Sequence, residues 1–271
     1  MKKILILLTL SLLLVGCAGG NNKKEEAVNP AEDNKIVIGV TPVPHEEIIK
    51  AFEQQFKDAG LEVEIVVFDD YIQPNEQLAA GDLDANFFQH KPYLDEFAAQ
   101  NKLDLVSIGG VHIEPMAVYS DKLSSLDELQ EKDEIIIPND PTNGGRALIM
   151  LDKEGIIKLE DNTNLSSTEN DIAENPKNLT FVPMDAQNIP NTYKDAAAAI
   201  INSNFAIGAG LSPTEDSLLI EPKDSPYANI VVVRTGEEEK EKFKKFMEIL
   251  NSDDVKEFIE EKYQGAIIPA F

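Results

Sequence analysis

The chain has 271 residues and a formal net charge of −25, with 49 acidic against 24 basic side chains. This balance argues against nucleic acid as a partner, because neutralising phosphates requires clustered Lys and Arg. A single cysteine allows no disulfide within the chain.

The N-terminus predicts an export signal over residues 1–16. Lys2 and Lys3 precede an apolar run at 4–15 that is too short to span a bilayer. The run ends in the letters LVGC, which resemble the lipobox of bacterial lipoproteins, where the cysteine is acylated and becomes the mature N-terminus. A lone cysteine is more commonly a small buried hydrophobe, but its place at the cleavage position favours Cys17 as a lipid attachment site.

Residues 17–34 are predicted to be the lipidated Cys and a flexible tether. The segment lacks apolar periodicity and is rich in Gly, Asn, Lys and Glu, so it cannot bury enough surface to fold. As a random coil its root-mean-square reach is on the order of 20 to 25 Å. The tether would hold a folded domain just off a membrane surface.

The folded part begins with a strand, a helix and a second strand. Residues 36–42 are apolar, 46–59 carry apolar side chains three and four residues apart, Gly60 ends the helix, and 61–68 are again apolar. Because crossovers between parallel strands are right-handed and short, this βαβ unit favours a parallel sheet.

Strands and helices alternate through the rest of the chain. Asn75 is predicted to cap a short helix, and 160–177 is predicted to be irregular. The predicted strands are 84–90, 103–109, 112–120, 134–138, 196–201 and 229–234, and the predicted helices are 92–100, 125–131, 143–154, 237–250 and 253–263. The alanines at 196–199 would also suit a helix. The alternation places the chain in the α/β class.

Enzyme signatures are missing from the sequence. No nucleophile elbow, phosphate loop, HExxH or dinucleotide fingerprint occurs, so the chain is not predicted to be an enzyme and no cofactor is predicted. His45, His90, His112 and Glu114 could together form a metal site, but no two of the histidines have the i, i+3 or i, i+4 spacing of a helical site. A metal site is therefore the less favoured alternative.

The letters NFFQHKPY at 86–93 raise the question of a pocket. In an extended strand, alternation would place Asn86, Phe88 and His90 on one side and Phe87 and Gln89 on the other. Such a mixed face is poor core material, although Phe88 could be core with His90 at its polar rim. The side chains of Tyr71 and Tyr93, aromatic with polar tips, favour a pocket.

Two other segments carry polar groups suited to a small zwitterion. At 143–146 a predicted helix opens with Asn143, two glycines and Arg146; free amides attract an anion and a guanidinium can bind a carboxylate. A capped helix with a solvated Arg146 is an equally simple explanation. Asn202 follows an apolar strand at the edge where binding crevices open, and an Asn there can accept from an ammonium.

The sequence is similar to the NlpA lipoprotein family, the methionine-binding lipoproteins of bacterial ABC importers. The resemblance covers 36–271 in order and is carried by GVTPVPHEEI, DDYIQPNEQLAAGDLDANFFQHKPYLDEF, VHIEPMAVYS, IPNDPTNGGRAL, AAIINSNFA, DSPYANIVVVR and EKYQGAIIPAF. It implies a type II periplasmic-binding-protein fold, in which two α/β lobes joined by two crossover strands enclose a ligand cleft.

The resemblance also implies domain bounds. Lobe 1 would take 35–116 plus 230–271, and lobe 2 would take 117–229, with crossovers near 114–120 and 227–234.

The same resemblance implies the roles of the site residues. Lobe 1 would surround the ligand side chain, Arg146 would hold the α-carboxylate with help from the helix start at Asn143, and Asn202 would hold the ligand's backbone polar groups. The residues implied in lobe 1 are Tyr71, Phe88, His90, Tyr93 and His112. The family often has Glu where this chain has Gly144, and Tyr where it has Phe205.

The function that the resemblance implies is capture of methionine for an ABC importer by a lipid-anchored monomer on the extracytoplasmic face of the cell membrane. The partners would be L-methionine or a close analogue and the permease and ATPase subunits. D-methionine, methionine sulfoxide and glycyl-methionine remain alternative ligands. Metal capture and a surface adhesin role also remain open.

Overall fold

A computed structural model describes residues 34–223 and 225–271. The predicted signal, most of the tether and Cys17 lie outside these residues. Within the described residues, no helix has the length and apolar character needed to cross a membrane.

The strands and helices alternate along the described chain. The strands are β1 (Lys35–Val40), β2 (Glu62–Val67), β3 (Ala85–His90), β4 (Leu105–Ile113), β5 (Ala117–Tyr119), β6 (Glu134–Pro138), β7 (Lys158–Leu159), β8 (Ile172–Glu174), β9 (Thr180–Met184), β10 (Ala198–Ile201), β11 (Leu219–Ile220), β12 (Ala228–Arg234) and β13 (Ile268–Pro269). The α-helices are α1 (Glu47–Ala51), α2 (Glu53–Asp58), α3 (Gln73–Ala80), α4 (Lys91–Asn101), α5 (Pro141–Lys153), α6 (Ile189–Thr192), α7 (Ser203–Gly208), α8 (Glu241–Leu250) and α9 (Asp253–Tyr263).

Two mixed sheets form the framework. The first has the order β13-β4-β12-β3-β1-β2, the second has the order β11-β5-β10-β6-β9, and β7 and β8 form a separate ribbon. The chain passes from the first sheet to the second between β4 and β5 and returns between β11 and β12. The predicted βαβ unit is confirmed, since β1 pairs in parallel with β2 from Lys35 opposite Glu62 to Val40 opposite Val67.

Each sheet has apolar clusters on both faces. On the first sheet, Ile38 and Phe87 pack with Phe243 and Phe246 of α8, while Val232 packs with side chains of the opposite cluster. The second sheet is covered likewise by α5 on one face and by α6 and α7 on the other. Sheets buried on both faces are typical of α/β proteins. Ligands therefore bind at the edge of the sheet where its strands end.

Several predicted elements differ from the observed ones. The predicted helix at 46–59 is broken at Phe52, whose ψ of 15° leaves the helical range, into α1 and α2. The predicted helix at 125–131 is wrong: only a 3-10 turn at Leu126–Glu128 forms. Its continuation is lost because the Asp133 carboxylate accepts the Gln130 amide, which turns the backbone.

The predicted Asn75 cap is also wrong. Helix α3 begins two residues earlier, and Asp70 accepts the amides of Ile72 and Gln73 at its start. Asn75 is fully buried and its amide donates to Gln89 instead.

Strand β3 is extended as predicted, but its alternation is interrupted. The pairing with β12 shifts between Ile230 opposite Gln89 and Val231 opposite Phe87, so Phe88 is the extra residue of a β-bulge. The bulge brings Gln89 to the same side as Asn86, and the two amides are bonded at 3.0 Å. The predicted placement of Gln89 opposite Asn86 is therefore wrong.

Candidate functional site

A cavity of about 320 Å³, including its mouth, lies where the two sheets meet. It is lined by Tyr71, Phe88, Gln89, His90, Tyr93, Glu114, Asn143, Arg146, Asn202 and Asn229. Strand β3, β12 and helix α4 supply one side, and helix α5 and the end of β10 supply the other. The site is thus assembled from both parts of the chain.

Aromatic rings form one wall of the cavity. The ring of Tyr71 lies 5.9 Å from those of Phe88 and Tyr93, and 4.9 Å from that of Phe205. The Tyr93 hydroxyl donates to the Tyr71 carbonyl at 2.9 Å, and the Tyr71 hydroxyl donates to Asn204 Oδ1 at 2.6 Å. The polar tips are therefore engaged and the ring faces are available to a polarizable, weakly hydrated group.

A hydrogen-bonded chain crosses the cavity. His90 Nδ1 accepts the Tyr93 amide at the start of α4, which leaves the ring proton on Nε2 to donate to Asn143 Oδ1 at 3.0 Å. Asn202 Nδ2 donates to the same oxygen at 2.9 Å. Burial, with the nearby Arg146 charge, lowers the pKa of His90 to about 3, so the ring is neutral. Asn202 Oδ1 is buried and, within the described residues, has no hydrogen-bond partner.

Arg146 is held on three sides. Its Nε donates to Glu221 Oε1 at 3.1 Å, and its Nη2 donates to Glu221 Oε2 and, at 2.8 Å, to the Glu114 carbonyl. The Tyr227 ring lies 4.1 Å from the guanidinium carbon. Both Nη2 protons and the Nε proton are thus used, so Nη1 is the part of the guanidinium left for a ligand. Gly144 has no side chain that could pair with Arg146, and Glu221 supplies the carboxylate partner instead.

Glu114 brings a buried carboxylate to the cavity. Its Oε1 lies 2.8 Å from His112 Nε2 and 3.3 Å from His45 Nε2, and its Oε2 accepts the Asn204 amide at 3.1 Å. Burial raises the pKa of Glu114, and the nearby Arg146 guanidinium and the Asn204 amide oppose this effect. Burial lowers the pKa of His45 to about 4 and that of His112 to about 3.

The structure brings together seven of the eight expected ligand-binding residues. Tyr71, Phe88, His90, Tyr93, Asn143, Arg146 and Asn202 all line the cavity. His112 does not line it; it is fully buried behind Glu114. His45, His112 and Glu114 have ligand atoms within 4.8 Å of one another, a spacing that could hold a metal ion, whereas His90 is bonded elsewhere.

Sequence reasoning missed Gln89, Asn229 and Glu221, and considered Glu114 only as a metal ligand. Glu114 and Asn229 lie close to the points where the chain passes between the sheets. Their position in the sequence, as polar residues beside short strands, could have indicated this placement. Glu221 is 75 residues from Arg146, and no local pattern links them.

A larger open groove, of about 890 Å³ with its solvent-exposed part, shares Arg146 with the cavity and is also lined by the Arg146 neighbours Glu221 and Tyr227. Its other walls are largely aliphatic, including Ile149 and Leu219. Asn202, whose buried Oδ1 has no hydrogen-bond partner within the described residues, lines the smaller cavity together with Glu114 and Arg146, so that cavity is the candidate site.

Comparison with known proteins agrees with the architecture. Residues 36–271 match the NlpA lipoprotein family. The chain is 42% identical over 261 residues to the D-methionine-binding lipoprotein MetQ of Escherichia coli K12, covering 95% of this chain and 93% of that protein.

Two solved structures share the fold. A nutrient-binding protein from Burkholderia cenocepacia, bound to methionine, is 40% identical, with a TM-score of 0.84 over 87% of this chain and all of the other. A periplasmic substrate-binding protein of an ABC transporter from Coxiella burnetii is 38% identical, with a TM-score of 0.83 over 87% of this chain and all of the other. The fold is the two-lobed periplasmic-binding fold, and the chain belongs to the NlpA lipoprotein family.

Proposed function

We propose that this chain is a membrane-anchored, extracytoplasmic substrate-binding protein that captures methionine and delivers it to an ABC importer. The observation that carries the proposal is a cavity with an aromatic wall at one end and, at the other, a guanidinium nitrogen facing buried carboxylate and amide oxygens. Relatives that are named for methionine binding, or solved with methionine bound, support it.

Each end of a methionine would find complementary chemistry. The thioether would lie against Tyr71, Phe88 and Tyr93, where sulfur–aromatic contacts contribute roughly 0.3 to 1.5 kcal/mol each. The carboxylate would bind Arg146 Nη1. The ammonium would donate to Asn202 Oδ1 and to Glu114. Both contacts matter because a buried charge is costly unless it is paired and hydrogen-bonded.

The anchor, the lobes and the partners belong to the same proposal. Cys17 would carry the lipid, and lobe 1 (35–116 plus 230–271) and lobe 2 (117–229) would close over the ligand before docking on the permease. The role is binding, without catalysis. D-methionine, methionine sulfoxide and glycyl-methionine are the ligands to compare.

The proposal is tested by native mass spectrometry of residues 34–271, followed by calorimetric titration with L-methionine. Arg146→Ala and Asn202→Ala should each abolish tight binding while the circular dichroism spectrum is unchanged. Lys194→Ala, which removes an exposed cation elsewhere, is the matched control. Unchanged affinity in both site variants would refute the assignment.

Metal capture is a second candidate, favoured by the spacing of His45, His112 and Glu114. It predicts that a chelator lowers the melting temperature of the purified protein and that Zn²⁺ restores it. Methionine binding predicts no effect of the chelator and a rise in melting temperature with methionine.

A further inference from the structure

Glu114 is held from behind by nitrogen donors. His112 Nε2 and His45 Nε2 approach the same oxygen, Oε1, while the Asn204 amide donates to the other. The two histidines are fully buried and do not line the cavity. Their relationship to the site therefore runs through Glu114.

The hydrogen-bond partners fix the direction of these contacts. The Thr41 hydroxyl lies 2.7 Å from His45 Nδ1 and can donate to it, which places the proton of the neutral ring on Nε2. That proton faces two oxygens, Glu114 Oε1 and, at 3.1 Å, Asn229 Oδ1.

His112 follows the same logic. Its Nδ1 is buried without a partner among the described residues, while its Nε2 lies 2.8 Å from the carboxylate. The one proton of a neutral imidazole is best used on Nε2, toward Glu114. Both rings are then donors, and Glu114 is kept as an acceptor whose remaining lone pairs face the cavity.

The charges around the cavity favour a ligand that carries one ammonium. Arg146 is already paired with Glu221, whereas Glu114 is the only acid among the residues that line the cavity and is paired with neutral rings. A ligand without an ammonium at this position would leave the buried carboxylate with neutral donors alone and no partner of opposite charge, which is costly.

Resting on the proposed function, we propose that His45 and His112 are positioning residues that hold Glu114 as the acceptor for the ligand's ammonium, so that the site requires a free amino group next to the ligand's carboxylate. The ligand class is thus the free α-amino acid. N-acyl methionines lack the charge, and in glycyl-methionine the amine lies one residue further from the carboxylate.

The test compares L-methionine with 4-(methylthio)butanoate, the same molecule without its amine. Calorimetric titration of the wild-type protein should favour methionine by roughly tenfold or more, the range expected for a hydrogen bond to a charged group. Glu114→Gln and His112→Leu should each shrink that ratio several-fold. His112→Gln should restore it, because its amide places an N–H near the position of Nε2.

The ratio separates positioning from a merely structural role. If His112 only stabilises the fold, His112→Leu weakens both ligands alike and the ratio stays at its wild-type value, which overturns the inference. Should His112→Leu fail to fold, His45→Leu provides the same test at the second ring, and Glu114→Gln tests whether this carboxylate accepts from the ammonium at all. Lys194→Ala should leave both affinities unchanged.

Different outcomes would overturn the proposed function and the role of Glu114. A wild-type protein that binds neither ligand overturns the proposed function and this inference with it. A wild-type protein that binds methionine, but binds N-acetyl-methionine as tightly, overturns the inference alone.

Discussion

His90 and Asn143 are joined across the cavity by a hydrogen bond of 3.0 Å from His90 Nε2 to Asn143 Oδ1. His90 ends β3 of the first sheet, and Asn143 lies in the first turn of α5, which packs on the second. Asp140 fixes Asn143 through its backbone amide and side chain. This bond therefore links a strand of the first sheet to a helix that packs on the second sheet, across the cavity between them.

Loss of this bond should weaken ligand binding. We expect His90→Ala to lower affinity for L-methionine roughly 10- to 100-fold, because Asn143 Oδ1 loses one of its two buried donors and the link across the cavity is broken. His90 also accepts the Tyr93 amide at the start of α4, so the same change should cost about 1 kcal/mol of unfolding free energy.

His90→Asn separates the two effects. Its shorter side chain can still cap the helix but does not reach Asn143, so stability should stay near wild type while affinity falls as in His90→Ala. Affinity at the wild-type level in both variants would contradict a role for the bridge.

Removal of Glu221 should destabilise the protein. Arg146 is 3% exposed, and Glu221→Ala would leave its charge without a carboxylate partner, at an expected cost of about 3 to 5 kcal/mol in unfolding free energy. Urea denaturation without ligand measures this. The matched control is the exposed pair Asp121–Lys194, where Asp121→Ala should cost about 1 kcal/mol or less. Equal losses in the two variants would mean that the buried pair contributes no more than a surface pair.

Stability should fall in mild acid. His45, His90 and His112 have folded-state pKa values of about 4, 3 and 3, lowered by burial, whereas the unfolded chain takes up these protons near pH 6.5. The unfolded state therefore binds more protons below that pH, and the free energy of unfolding should decrease between pH 7.5 and 5.5 by on the order of 1 kcal/mol per histidine.

The raised pKa of Glu114 acts with the opposite sign, since its protonation relieves a buried charge. Comparison with the His45→Gln/His112→Gln double variant isolates the histidines. Urea midpoints at the two pH values should differ less in that variant. An equal pH dependence in both proteins would show that these rings are not the source.

Local patterns predicted much of the fold. Glu134–Pro138 and Asp253–Tyr263 have the predicted bounds because a buried apolar run and an amphipathic face with a Ser252 cap are set by neighbours in sequence. The alanine-rich segment forms β10 rather than a helix because it pairs with both β5 and β6. Single-residue events such as the bulge at Phe88 depend on a partner strand more than 140 positions away, which sequence spacing does not reveal.

The candidate-site residues were predictable where a residue suited to ligand binding stands at a strand end or a helix start. Rings and amides at strand ends pointed to Tyr93 and Asn202, and a glycine-rich helix start pointed to Arg146. The support behind them was not predictable. Glu221 reaches Arg146 where the chain returns from the second sheet, and His45 reaches Glu114 because β1 and β4 belong to the same sheet. Such contacts are set by topology.

The second glycine of the α5 start should not tolerate a side chain. A Cβ at Gly145 would overlap the Leu165 carbonyl oxygen and lie 2.9 Å from the Ser167 amide nitrogen, both backbone atoms. Gly145→Ala should therefore push the 160–170 segment off α5 and cost about 1 to 3 kcal/mol, as overpacking does. A Cβ at Gly208, at the end of α7, would meet open space, so Gly208→Ala should be neutral or slightly stabilising. Urea denaturation of the pair measures the difference, and equal stability would mean that the segment repacks at no cost.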